Sequence, residues 1–418
     1  MTDSHTNFSK LGLSRPVLAA VTGAGYDSPT PIQAKAVPAV LSGRDVVGLA
    51  QTGSGKTAAF VLPLIDQLLA EKKQAPGKTA RALILAPTRE LAAQIAESVT
   101  AYAKGSNLTS TVIFGGVKPG PQIRAMARGV DILVATPGRL LDHAGTGALR
   151  LDHTRRVVLD EADQMLDLGF MPAIRKILKQ LGSPRQTVMF SATMPAPIRK
   201  LADEFLTNPI TIAATPPSKP VERIAQAVMY VDAASKPDAL VDLMAKEAGR
   251  KVIVFTRTKR GADRVAKRLA QYGHGVNAIH GNKSQGQRER ALAAFKQGKA
   301  PVLVATDIAA RGIDVEAVEL VVNYELPNVS ESYVHRIGRT ARAGAEGRAV
   351  ALCAPDERKL LKDIVKLTGI EPKSLNDAPP MPRGEAVKPA GAGKPKRRRN
   401  RRGAGSGGQG GQGRRRAA

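Results

Sequence analysis

The sequence predicts two consecutive α/β domains, each a parallel sheet covered by helices, followed by a basic tail without a core. Three observations predict this. First, short β-branched runs alternate with stretches of helical periodicity along most of the 418 residues. Second, most of those runs are apolar throughout instead of alternating with polar residues, as strands buried on both faces are. Third, the composition changes after about residue 372, where DAPPMPRG and KPKRRRNRRGAGSGGQGGQGRRR hold too few apolar residues to form a core.

In the first half the strand candidates are RDVVGLA (44–50), ALILAP (82–87), DILVATP (131–137), RVVLDE (156–161) and TVMFSAT (187–193). In the second they are KVIVFT (251–256), VNAIH (276–280), PVLVATD (301–307), LVVNYE (320–325) and GRAVALCA (347–354). Helical spacing marks TAAFVLPLIDQLLA, RELAAQIAESVTAYAK (89–104) and GADRVAKRLAQYG (261–273), the last closing on a glycine cap. The Pro-rich TPPSKP (215–220) marks a boundary. The predicted layout is a first domain over 1–213, a linker over 214–220, a second domain over 221–372 and a disordered tail over 373–418.

The net charge of +27 implies a polyanionic partner, nucleic acid ahead of an acidic membrane surface. From Asn376 onward twelve Lys and Arg face two acids, a net of +10, so the folded part is basic as well. Aromatic residues are 3% of the chain and Trp is absent, which favours backbone contact over base stacking. No run approaches the ~20 apolar residues of a membrane span, and MTDSHTNFSK lacks the apolar segment of a secretory signal. The one cysteine, Cys353, sits in the apolar AVALCA; it excludes an internal disulfide and a multi-cysteine zinc module and fits a reducing, cytoplasmic compartment.

Polar clusters follow the apolar strands, where open α/β sheets bind ligands. AQTGSGKT (50–57) lies between a strand and a helix, the context of a phosphate-binding loop. Thr52, Gly53, Ser54 and Gly55 would wrap the phosphates, Lys56 would reach the β/γ-phosphates, and the Thr57 hydroxyl would hold Mg²⁺. Ala50 stands where the general pattern has Gly. In VVLDEAD (157–163), Asp160 would organise Mg²⁺ and Glu161 would orient or deprotonate an attacking water. In HRIGRTAR (335–342), Arg336, Arg339 and Arg342 are three apart and predict one shared helical face. That face would meet a nucleic-acid backbone, a nucleotide, or solvent alone.

The order of these motifs over residues 8–370 resembles that of the DEAD-box RNA helicases of helicase superfamily 2, most of all the bacterial RhlE-like branch. The resemblance implies two RecA-like domains, ATP and Mg²⁺ as cofactors, and RNA as partner. It accounts for Ala50, since this family uses AxTGxGKT. It implies that Gln33 of GYDSPTPIQ reads the adenine edge and that Phe8 stacks on the ring, while Asp314 reaches the ribose. It places Thr88, Arg89, Gly115, Gly116, Thr136, Arg139, Arg257, Gln285, Arg288 and Thr306 on RNA. Ser191 and Thr193 would bond toward Asp163 and couple nucleotide state to RNA grip, and His335 would touch the DEAD segment across the cleft. Arg339 and Arg342 would be arginine fingers, and Arg336 would support RNA binding or the domain contact. Ala341 stands where the family usually has Gly, a change expected to matter little on a helix, where Ala is the better former. The implied activity is RNA-stimulated ATP hydrolysis with local, non-processive duplex separation, on ribosomal particles or in RNA decay. A DNA-directed translocase, an RNA clamp or annealing factor, and a non-enzymatic scaffold remain the alternatives.

Overall fold

The computed structural model describes residues 7–50, 53–71, 73–213, 223–310, 318–341 and 346–377. The first seven strands are β1 (Val46–Leu49), β2 (Ala80–Leu85), β3 (Ser110–Ile113), β4 (Val130–Ala135), β5 (Arg156–Leu159), β6 (Gln186–Ser191) and β7 (Ile210–Ala213). They form one parallel sheet in the order β3-β4-β2-β5-β6-β1-β7. Its helices are α1 (Arg15–Gly23), α2 (Pro31–Leu41), α3 (Lys56–Ala70), α4 (Arg89–Tyr102), α5 (Pro119–Met126), α6 (Pro137–Gly145), α7 (Ala162–Asp167), α8 (Met171–Gln180) and α9 (Ala196–Phe205). Successive side chains of a strand point to opposite faces. In β2, Ala82 and Ile84 therefore join Phe60 and Ile95 of α3 and α4, whereas Leu83 and Leu85 join Met165 and Ile177 of α7 and α8. A strand sandwiched in this way can be apolar throughout, which explains the continuous runs.

The second sheet contains β8 (Ile224–Tyr230), β9 (Val252–Thr256), β10 (Val276–Ile279), β11 (Val302–Thr306), β12 (Leu320–Asn323), β13 (Gly347–Cys353) and β14 (Lys373–Ser374). Its order is β10-β11-β9-β12-β13-β8-β14, again all parallel. Position for position this is the topology of the first sheet, with β8 standing for β1 and β12 for β5. Its helices are α10 (Lys236–Lys246), α11 (Lys259–Gln271), α12 (Gln285–Lys296), α13 (Asp307–Ala310), α14 (Ser330–Ile337) and α15 (Arg358–Thr368). The expected cap of α11 is present, with Gly273 at φ +81°.

All ten strand candidates are strands, and four further strands carry no comparable signal. β3 is mostly solvent-accessible at the sheet edge, β7 is a four-residue edge strand, and β8 carries exposed Ala225 and the polar Gln226 within its run. β14 is the dipeptide Lys-Ser, held by backbone pairing to β8. Asn376 extends that pairing, its side chain accepting from Tyr230 N (2.8 Å) and donating to Tyr230 O (2.7 Å). The expected disordered tail is corrected at its start: Lys373 and Ser374 belong to the second sheet, and Leu375 and Asn376 are tied to β8. The expected linker (214–220) and residues 378–418 lie outside the described residues. Among the described residues no helix is long and apolar enough to cross a membrane.

Candidate active site

The turn from β1 to α3 is built on glycine. Gly55 caps α3 at φ +90°, and a Cβ there would stand 2.5 Å from Gln33 Nε2. Only glycine permits both the left-handed backbone and this close approach. Gln33 is 4% exposed; its Oε1 accepts from Thr30 N (2.9 Å) and its Nε2 donates to Gly55 O (3.1 Å). It thus closes a capping box at α2 and ties that helix to the phosphate loop.

Lys56 opens α3 and points at the carboxyl end of β5. Its side chain is 6% exposed; the ammonium lies 4.0 Å from Asp160 Oδ1 and 3.9 Å from Glu161 Oε1, and makes no hydrogen bond among the described residues. Asp160 Oδ1 is likewise buried without a hydrogen-bond partner. Burial pushes the Asp160 carboxyl up to about 7, against the pull of Lys56. A buried ammonium and a buried carboxylate oxygen, each lacking a hydrogen bond, are costly unless a ligand completes them. Both face a cleft of about 320 Å³ lined also by Tyr26, Thr30, Gln33, Thr57 and Tyr102. Glu161 sits at φ 54°, ψ 54°, a strained conformation of the kind concentrated at functional sites.

Phe8 does not line this cleft. It is 3% exposed within the hydrophobic core, its ring centroid 6.4 Å from that of Tyr26. The aromatic walls are Tyr26 and Tyr102, whose hydroxyls bond each other at 2.8 Å. The sequence reading missed both, although Tyr26 stands inside GYDSPTPIQ. Next to the cleft, Asp163 Oδ2 accepts from Ala192 N (3.1 Å), Thr193 N (2.9 Å) and Thr193 Oγ1 (3.0 Å). Asp163 N donates in turn to Ser191 Oγ (3.2 Å), so the ends of β5 and β6 are locked together.

Arg336 and Arg339 do not share a helical face, because α14 ends at Ile337 with Gly338 as its cap. Of these two, Arg336 lies on the helix and is 1% exposed. Its guanidinium forks onto Asp307 (Nη2 to Oδ2, 2.8 Å), donates to Asn323 Oδ1 (3.0 Å) and Glu325 O (2.6 Å), and lies 5.1 Å from the centre of the Phe255 ring. Its expected RNA contact is corrected: four of its five N–H groups are engaged inside the second domain. Arg339 is 4% exposed and donates to His335 O at 3.3 Å. The two residues line one small cavity with Asp307 and Phe255. Ala341 is not helical, so that expectation also falls; it lies at φ +56°. Thr52, Asp314 and Arg342 lie outside the described residues.

A second group of basic residues lies around α4. Arg89 is half-buried and covers Gly116, which lies at φ +77° and where a Cβ would stand 2.0 Å from the guanidinium. Burial and the neighbouring Arg288 and Arg139 pull the Arg89 pKa down, against Glu90. Arg139 donates to Val117 O (3.1 Å). Gly115 lies beside Arg89, where its absent Cβ would be 3.6 Å from the guanidinium. The Thr88 hydroxyl caps α4 by accepting from Leu91 N (3.2 Å), and Thr136 holds the N-cap position of α6. From the second domain, Gln285 donates to Glu289 (3.1 Å), and Thr306 ends β11. Arg257 donates to Glu357 (2.9 Å). Arg288, expected on RNA, pairs with Glu90 of the first domain at 2.7 Å, both side chains buried.

A family model for the DEAD/DEAH box helicase matches residues 30–201, and one for the helicase conserved C-terminal domain matches residues 235–344. The ATP-dependent RNA helicase dbp2 of Emericella nidulans is 46% identical over 364 residues, 86% of this chain and 65% of that protein. DBP2 of Ajellomyces capsulatus is 46% identical over 365 residues, covering 86% and 67%. Among solved structures, S. cerevisiae Dbp5 bound to RNA and ADP BeF3 is 32% identical with a TM-score of 0.78, covering 88% of this chain and 95% of that one. Mss116p bound to ssRNA and AMP-PNP is 28% identical with a TM-score of 0.80, covering 90% and 81%. The chain belongs to the DEAD-box RNA helicase family, and its two α/β domains are RecA-like. It spans 65% of the length of the Emericella relative.

Proposed function

We propose that this chain hydrolyses ATP when RNA is bound and uses the cycle to separate short RNA duplexes or remodel ribonucleoproteins locally. One observation carries the reading. Lys56 and Asp160 present a buried ammonium and a buried carboxylate oxygen, neither hydrogen-bonded, to a cleft on a glycine-built phosphate loop. A nucleotide's phosphates supply acceptors to the first. A divalent cation satisfies the second: Asp160 and the Thr57 hydroxyl would hold Mg²⁺, which neutralises phosphate charge when bound. Gln33 keeps one donor and one acceptor beyond its two internal bonds, the pair an adenine edge requires. Glu161 orients or deprotonates the attacking water. Arg339 and Arg342 stabilise the charge developing on the γ-phosphate. Arg89, Arg139, Gly116, Arg257 and Thr306 hold the RNA backbone without reading sequence, and the net +10 after Asn376 adds a non-specific tether.

The finer placement in the bacterial RhlE-like branch rests on the resemblance of the motif order over residues 8–370. Cytoplasmic RNA, on ribosomal particles or in decay, is the expected setting. Phosphate release from ATP is expected to rise with single-stranded RNA, not with DNA, and to vanish in Glu161→Gln. A short duplex should open with ATP far more often per minute than with a non-hydrolysable analogue. Equal stimulation by DNA, or normal turnover in Glu161→Gln, overturns the assignment.

A further inference from the structure

The repeat of topology invites a comparison of the two sheets at the same place. α10 follows β8 as α3 follows β1, and each helix opens on a lysine, Lys236 and Lys56. Tyr324 and Glu325 follow β12 as Asp160 and Glu161 follow β5. The second domain also has a cleft there, about 600 Å³, lined by Lys236, Arg257, Arg264, Tyr324 and Glu357. The two lysines meet opposite fates. Lys56 Nζ has no hydrogen-bond partner, whereas Lys236 Nζ donates to Tyr324 O (2.8 Å) and to the Glu357 carboxylate. In the second domain an internal carboxylate takes the place that the first domain leaves to a ligand.

Glu357 is 1% exposed and follows β13. Its Oε2 also accepts from Ala354 N (3.1 Å), and its Oε1 accepts from Leu326 N (3.1 Å). Two backbone donors and a buried lysine therefore fix the carboxylate in place. Among the described residues its remaining partner is Arg257, whose Nη2 donates to Oε1 at 2.9 Å. The Arg257 side chain is 32% exposed; its Nη1 also donates to Asn328 Oδ1 at 3.5 Å, the outer limit of a hydrogen bond, and the N–H groups left over reach solvent. We infer that Glu357 is a positioning residue that holds Arg257 ready to grip an RNA phosphate, and that Lys236 in turn holds Glu357. An arginine ordered before RNA arrives loses less rotamer freedom on binding than a free one. The inference rests on the reading of Arg257 as an RNA contact.

The test is a double-mutant cycle on the full chain. Binding of a labelled single-stranded RNA is measured by anisotropy with a non-hydrolysable ATP analogue at several salt concentrations. Arg257→Ala should weaken binding and lower the salt slope by about 0.7, the share of one phosphate contact on a single strand. Glu357→Gln should weaken binding about fivefold, as one misdirected charge-assisted contact does. The variant carrying both changes should bind no more weakly than Arg257→Ala alone, an equality that general loosening of the domain would not produce. If Glu357→Gln melts early because Lys236 is orphaned, Lys236→Met with Glu357→Gln removes the orphan and replaces it in the cycle. Wild-type affinity in Glu357→Gln, or additive losses in the double variant, overturns the inference. Wild-type affinity in Arg257→Ala overturns it together with that RNA contact, while RNA-stimulated ATP turnover of the unmodified chain independently tests the proposed function.

Discussion

At the scale of single residues, the backbone settles what side-chain identity alone cannot. Ala341 is an ordinary residue in HRIGRTAR until its φ of +56° is known. Left-handed backbone costs a Cβ-bearing residue roughly 1–2 kcal/mol. The surroundings enforce it: Thr340 Oγ1 donates to Val318 O, and a Cβ on Gly347 would stand 2.7 Å from Ala341 N. Ala341→Gly relieves the strain but gives the unfolded chain more freedom, which returns about half of the gain. The net expectation is a stabilisation of about 0.5–1 kcal/mol in denaturant unfolding, and Ala341→Val should lose at least as much. A lower midpoint for the glycine variant would show that the segment is not left-handed in solution. Glu161, at φ 54°, holds the same strained conformation beside the phosphate cleft, and nothing in DEAD discloses it. Lys56 and Asp160 could be singled out because each lies in a short local pattern, whereas Gln33 was singled out only through the resemblance. Tyr26 and Tyr102 were not, because a chain segment does not show which of its aromatic rings turns toward a cleft and which, like Phe8, enters the core.

At the scale of elements, an arginine's spacing gives its helical phase, and helix ends decide whether the phase matters. Arg336, Arg339 and Arg342 fit one face only while the helix continues, and Gly338 ends it. That glycine was the available signal, since Gly at a helix end is common. The result separates Arg336 from Arg339 and makes it the clasp between α14, α13 and the end of β12. A lysine at 336 cannot fork onto Asp307 and also reach Asn323 Oδ1 and Glu325 O. Asp307 is 27% exposed, so solvent compensates part of the loss there. Arg336→Lys should therefore cost about 2–3 kcal/mol in urea unfolding, near the lower end for a broken buried pair. A midpoint within error of the unmodified chain would remove Arg336 from the structural frame and reopen its assignment to RNA. The strands show the same division. Central strands such as β2 and β9 were plain from composition because both faces are buried. β14 was invisible, because Lys-Ser is held by the backbone hydrogen bonds of β8 and has no pattern of its own.

At the scale of the whole folded unit, Glu90 and Arg288 join the two sheets' domains through a contact that neither domain's sequence announces. They are 198 residues apart, their N–O distance is 2.7 Å, and their side chains are 5% and 10% exposed. Arg288 also depresses the Arg89 pKa, so the pair stands within the field of the residues proposed to hold RNA. An ion pair this buried is not a large net source of stability, but removing one partner leaves an uncompensated charge worth roughly 3 kcal/mol. Separation of the domains lets water reach that charge, so the loss should appear as opening and not as unfolding of either sheet. Glu90→Arg and Arg288→Glu each place like charges where opposite ones meet, and each should raise the radius of gyration of the ligand-free chain in small-angle scattering. The exchange of both residues restores an opposite pair with reversed sign and should return the radius toward that of the unmodified chain. The same series should order RNA affinity differently. Arg288→Glu puts a carboxylate beside Arg89 and repels phosphate even in the exchanged pair, whereas Glu90→Arg adds a cation there. Compactness should thus follow the match of signs across the pair, and RNA affinity the charge at position 288. If both observables instead moved together through all three variants, the pair would govern only one property, and the arginine at 288 would have no separate part in holding RNA.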